Sequence, residues 1–118
     1  MDKSQPIAVI TGASTGIGEQ ISLKLSNSNF HVILISRNKD KLLKVQQKIT
    51  ASGNQCQIIA IDISKPDLIS HIKDQIEFPE NVEVLVNNAG VGFFNKFEDI
   101  KIEHWEQQIN TNLRGAFL

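Results

Sequence analysis

The sequence predicts an α/β fold: a doubly wound parallel sheet of about four strands in the order 3-2-1-4, incomplete beyond the fourth. Three observations carry this. Short β-branched apolar runs alternate with amphipathic segments along the chain, the signature of a parallel sheet. A glycine-rich loop separates the first strand from the first helix, IAVITGASTGIG from Ile7 to Gly18. Right-handed crossovers, with a reversal after the third strand, set the first and fourth strands side by side. Ligands bind such sheets at that switch point.

Ile7, Val9 and Ile10 suit a strand buried on both faces. Ile17, Ile21 and Leu25 recur at helical spacing. Gly12 lets the chain turn, Gly16 removes a side chain where a ligand would approach, and the small Gly18 and Ser22 let the helix lie close to the sheet. The free N–H groups of that helix suit a pyrophosphate. A tight turn that binds nothing would use the same glycines.

His31 to Ile35 is the second strand, with Ser36, Arg37 and Asn38 as its exit. A helix follows from about Lys39 to Ser52, with Leu42, Val45 and Ile49 inward and Gly53 as its stop. Gln57 to Ile61 is the third strand and ends at Asp62. Ser64 reads as the next helix cap, with Pro66 in the first turn. Ile69, Ile72 and Ile76 form its stripe, and Pro79 ends it. Val82 to Val86 is the fourth strand: Val82, Val84 and Val86 face one way, Glu83 and Leu85 the other. The loop Asn87 to Gly92 leads to an apolar segment with Phe93, Phe94 and Phe97, the one candidate wall for a substrate pocket. Trp105, Ile109 and Leu113 mark a last helix.

Composition narrows the function. The 118 residues form one domain at most, and a net charge of −1 offers no case for nucleic acid or an acidic membrane. The basic run from Arg37 to Lys48 reads as a solvated helix face. The single cysteine, Cys56, excludes an internal disulfide and reads as a small residue near a strand. No stretch is long and apolar enough for a membrane span, and MDKSQP does not resemble a signal peptide, so a cytoplasmic location is the default expectation.

The second strand ends in Ser36-Arg37, where many dinucleotide sites place an acid on the ribose 2′-hydroxyl. A guanidinium binds a 2′-phosphate that a carboxylate would repel, so NADP(H) is favoured, with NAD(H) possible. Arg37 also fits as an ordinary exposed arginine. Asp62 is placed to accept from an adenine amino group while the Ile63 N–H donates to the ring; equally, it would place charge near the next helix terminus. Asn87-Asn88-Ala89-Gly90 suits a loop beside a ligand, or a plain polar turn.

Together, TGASTGIG at Thr11 to Gly18, Asp62, NNAG at Asn87 to Gly90, and WEQQINTNLRGAF around Asn112 resemble the short-chain dehydrogenase/reductase family over essentially the whole chain. The resemblance implies a Rossmann-type fold and a nicotinamide coenzyme. It implies that Gly12, Ser14, Thr15, Gly16, Ile17 and Gly18 surround the phosphates and ribose. By the same carry-over Asp62 and Ile63 hold the adenine, and Asn88, Ala89 and Gly90 line the adenosine ribose. Ser36-Arg37 looks like the pair of NADP-preferring members. Asn112 looks like the active-site asparagine, which holds a water linking a catalytic lysine to solvent by opening a kink in the last helix. An amide satisfied by backbone within a helix is the bland alternative.

One departure stands out. The family's chemistry uses a serine and Tyr-x-x-x-Lys, and this chain contains no tyrosine. His31, His71 and His104 show no paired carboxylate and read as surface or boundary residues. Nothing else is tuned for proton transfer. The expectation is therefore the coenzyme-binding part of an oxidoreductase acting on a small carbonyl or alcohol substrate, inactive as given. A non-catalytic nucleotide-binding or interaction module and a truncated gene product are the alternatives. The fourth strand would be an open edge inviting self-association, and the last helix would lack a neighbour for part of its stripe.

Overall fold

The computed structural model describes residues 2–118. Four parallel strands, β1 (Ile7–Thr11), β2 (His31–Ser36), β3 (Cys56–Ala60) and β4 (Val82–Val86), form one sheet in the order β3-β2-β1-β4. This is the predicted topology. The helices are α1 (Gly16–Asn27), α2 (Lys39–Ala51), α3 (Leu68–Lys73) and α4 (Ile102–Ile109), the last running on as a π-helical turn, Asn110–Gly115.

β1 and β2 are continuous apolar runs because both of their faces are covered. Ala8, Ile10, Val32 and Leu34 pack on Leu42, Val45 and Ile49 of α2. On the opposite face Ile7, Val9, Ile33 and Ile35 pack with Ile59, Ile63 and Leu68. Asn38 caps α2 by accepting from the Lys41 N–H at 3.0 Å, and the chain reverses beyond the helix through Gly53 in the left-handed region.

The expected α1 stripe is displaced. Gly18, Ser22 and Ser26 lie against the sheet, Ile21 and Leu25 flank them, and Ile17 is 72 % exposed. Small residues bring the helix axis close to the sheet, and Ile17, in the first turn at the sheet's open end, is left uncovered.

Further along, β3 sits one residue earlier than expected, although the Ile61 N–H still donates to the Ser36 carbonyl at 2.9 Å. Ser64 does not cap α3. Its N–H and hydroxyl both donate to Asp62 Oδ1, at 2.9 and 2.7 Å. Lys65 precedes Pro66 and is disfavoured in helical conformation, so α3 starts only at Leu68 and ends at Lys73, well before Pro79.

β4 carries a bulge. Ile7 pairs with Val82 but Ala8 with Val84, leaving Glu83 over. Val82 therefore joins the cluster around Ile7, while Val84 and Val86 join that around Ala8, so the three valines do not share a face. Leu85 is 58 % exposed at this edge. The stripe of the last helix is uncovered as expected: Trp105, Ile109 and Leu113 are all exposed.

The histidines depart from a uniform surface reading. His31 is buried in β2, and that burial, ahead of any charge, lowers its pKa. His71 does pair with a carboxylate, Asp67 at 2.7 Å, with both side chains exposed. His104 is half-buried against Phe93. Cys56 lies half-buried in β3, where desolvation pushes its thiol up to about 11, an unreactive value. Among the described residues, no helix is long and apolar enough to cross a membrane and no cluster of metal-ligating side chains occurs.

Candidate functional site

A cavity of about 360 Å³ opens at the C-terminal ends of the strands, at the β1/β4 switch point. Its floor begins where β1 ends. Gly12 takes φ +63°, and a Cβ there would press on the Asn88 amide and the Ala89 backbone. Gly18 is tighter: a Cβ would collide with the Gly12 carbonyl oxygen. The β1–α1 loop is thus folded back onto its own helix, and only glycine fits.

Thr11 ties this loop to the β4 exit. Its hydroxyl accepts from the N–H groups of Asn88 and Ala89, both at 3.1 Å, and lies 3.4 Å from the Val86 carbonyl, to which it donates. That exhausts its capacity of one donor and two acceptor sites. Asn88 Nδ2 donates to the Gly12 carbonyl at 3.1 Å. Ser36 donates to Ser14 across the top of β2 at 2.9 Å. Thr15, Gly16 and Ile17, at the start of α1, line the cavity, and no side chain caps that helix end. Apart from its chain neighbours and its own helix, none of the described residues comes within 4 Å of where a Gly16 Cβ would stand. Open helical N–H groups beside empty space suit an anion.

Arg37 and Asp62 share the cavity rim. Burial by itself raises the Asp62 carboxyl, but the two Ser64 hydrogen bonds, with Arg37 and Lys65 nearby, outweigh it and hold the group below the usual carboxylate range. Asp62 is thus an ionised acceptor at neutral pH. Its Oδ1 is taken up by Ser64, so its charge is anchored in the turn before α3.

The cavity brings together Gly12, Ser14, Thr15, Gly16, Ile17, Ser36, Arg37, Asp62, Ile63, Asn88, Ala89 and Gly90. Gly18 lies beneath the loop and sets its position instead of lining the space. Asn112 is outside the lining, on the π-helical turn. Its amide grips the backbone of the β4 exit loop: Oδ1 accepts from the Val91 N–H and Nδ2 donates to the Val91 carbonyl, both at 2.8 Å. The amide is satisfied by backbone, as the bland reading had it, but by a segment outside its own helix.

Sequence reasoning missed Thr11, Ile35, Ile61, Val91 and Thr111 as site residues. Thr11 was findable, since a hydroxyl at the last position of a central strand is placed to bond the neighbouring strand's exit. Val91 and Thr111 carried no such signal. Val91 simply extends the lining of the β4 exit loop by one residue, whereas Thr111 meets the site because the chain returns through the last helix, and Gly115 rests on Ile63 in the same packing.

A parallel sheet with its cavity at the switch point and a glycine loop folded onto α1 defines a Rossmann-type α/β protein. The chain belongs to the short-chain dehydrogenase family, whose profile, described as "short chain dehydrogenase", matches residues 6–118. It is 37 % identical to a 3-oxoacyl-[acyl-carrier-protein] reductase of Staphylococcus epidermidis, over 99 % of this chain and 48 % of that one. Among solved structures it resembles a metagenomic short-chain oxidoreductase in complex with NADP, with TM-score 0.89, 34 % identity, and coverage of 98 % of this chain and 54 % of that one. It also resembles an alcohol dehydrogenase from the archaeon Thermococcus sibiricus complexed with 5-hydroxy-NADP, with TM-score 0.86, 33 % identity, and coverage of 95 % and 48 %. The chain spans about half the length of the curated relatives it matches.

Proposed function

We propose that this chain is the NADP(H)-binding portion of a short-chain oxidoreductase acting on a small carbonyl or alcohol substrate. The observation that carries the reading is the meeting, in one cavity, of an uncapped helix start, an exposed guanidinium and an ionised carboxylate. The α1 N-terminus with Ser14, Thr15, Gly16 and Ile17 takes the pyrophosphate. Ser36 and Arg37 take the 2′-phosphate. Asp62 and Ile63 take the adenine, and Asn88, Ala89 and Gly90 line its ribose. NADP structures of similar chains support the choice of coenzyme.

When bound, the nicotinamide supplies or accepts a hydride. This chain's own part is to fix the coenzyme and to shape the space above it. Asn112 holds Val91 at the cavity wall and, in a complete enzyme, would hold a water that links a catalytic lysine to solvent. No tyrosine is present, so the family's own proton donor is missing from this chain. Turnover is not expected of these 118 residues alone.

Titration of the protein with NADPH and NADH, followed by nicotinamide fluorescence, tests this. NADPH should bind more tightly, and Arg37→Ala should weaken NADPH by about tenfold, the loss of a charge-assisted contact, with NADH little changed. Equal affinities, unmoved by the substitution, would remove Arg37 from the site.

A second reading, an interaction module, draws on the uncovered edge at Leu85 and the exposed Phe94 and Phe97. Sedimentation over a range of concentrations checks it. Reversible self-association supports it, and a monomer throughout argues against it.

A further inference from the structure

We propose that His104 is a positioning residue: its ring, stacked on Phe93, is the second point of a two-point latch that holds the Val91–Phe93 segment, which borders the cavity through Val91, against the last helix. The inference rests on the coenzyme reading only for what the wall borders. The latch itself stands on geometry. The His104 and Phe93 rings lie 4.1 Å apart between centroids and 5° from parallel. Two residues earlier, both backbone groups of Val91 are held by Asn112 at 2.8 Å. Val91 lines the cavity, so whatever fixes this short segment fixes that side of the site.

The two grips stand eight residues apart on one continuous helical segment. In a uniform α-helix that spacing offsets two side chains by about 80° around the axis. The π-helical turn at Asn110–Gly115 turns less per residue and so reduces the offset. A widened turn that begins between the two grips and carries Asn112 lets a single helix hold a stretch of three residues at both ends.

The chemistry of His104 favours a packing role. Its Nδ1 is buried and has no hydrogen-bond partner among the described residues. That nitrogen therefore takes no part in holding the ring. The ring is used as a flat surface, and this separates stacking from hydrogen bonding experimentally: a phenylalanine keeps the surface, and a glutamine keeps only polarity.

Amide hydrogen exchange by NMR on the 118-residue protein reads the latch directly. The Val91 amide is the reporter, and the Ala89 amide, bonded to Thr11, is the internal reference. His104→Ala should speed Val91 exchange by about tenfold, the scale of one aromatic pair, and leave Ala89 nearly unchanged. His104→Phe should restore the slow rate, and His104→Gln should not. Phe93→Leu removes the partner face with little loss of bulk and should repeat the His104→Ala result if that variant folds poorly. Unchanged Val91 exchange in His104→Ala or Phe93→Leu, or rescue by glutamine and not by phenylalanine, would overturn the proposal. NADPH affinity of the unmodified protein is measured alongside. Its absence would count against the coenzyme reading and leave the exchange result to decide the latch.

Discussion

Leu34 and Leu85 are the same residue on two strands of one sheet, and their surroundings could hardly differ more. Leu34 lies in β2 with no exposed surface, between β1 and β3 and under α2. Leu85 lies in β4, beside Val9 on one side and nothing on the other, and is 58 % exposed. The contrast runs through the molecule. From Ile7 to Ala51 nearly every apolar strand residue is enclosed, whereas beyond β4 Phe94, Phe97, Ile102, Leu113 and Phe117 are all exposed. A compact chain of this length has a radius of gyration of about 13.5 Å. This one measures 15.2 Å, with extents of 52 × 26 × 20 Å. The lesson is that the site straddles the boundary: the glycine loop, Ser36 and Arg37 hang from the enclosed half, and Asn88 to Val91 from the open one.

The largest effect should come from matching substitutions in the two leucines. Leu34→Ala should cost about 2–5 kcal/mol, the transfer and cavity cost of a buried leucine. Leu85→Ala should stay within about 0.5 kcal/mol, as surface changes do. Urea denaturation measures both, and comparable losses would mean that the β4 edge is covered in solution.

Next comes Gly18→Ala, at the seam between the halves. The added methyl must displace the Gly12 carbonyl or the Asn88 amide, so a loss of about 1–3 kcal/mol is expected, together with weaker NADPH binding. An alanine variant as stable as the parent would show that the loop has slack.

The smallest effect is electrostatic. Asp62 has a lowered native pKa, so its contribution to stability is full above the ordinary carboxyl value of 3.8 and is lost as the pH falls through the lowered native value. Asp62→Asn should therefore lose less stability than the parent between about pH 5 and pH 3. Parallel urea midpoints over that window would show that the Ser64 turn does not depend on the charge.

How much of this the sequence disclosed follows the same divide. β1 and β2 are legible because burial on both faces leaves no polar position to interrupt the run, and Leu42, Val45 and Ile49 because one covered face leaves a clean stripe. The cavity residues are legible because a sharp turn beside a helix start demands glycine. Legibility fails where a side chain competes with backbone or where the register changes. Asp62 claims the Ser64 N–H and, with Pro66, delays α3. Glu83 is pushed out by a bulge that no alternation pattern announces. The π-helical turn leaves no compositional mark, and the grip of Asn112 on Val91 joins residues twenty-one positions apart.

Thr11 carries one consequence beyond the site itself. Its single oxygen holds the strand end at Val86 and the two amides that follow, so the outer strand cannot peel away while the cavity floor stays closed. Fraying at the rim therefore breaks the same hydrogen bonds that close the binding space. Whatever clamps the rim, whether a neighbouring molecule or further chain, also supports the bonds that keep the cavity floor assembled.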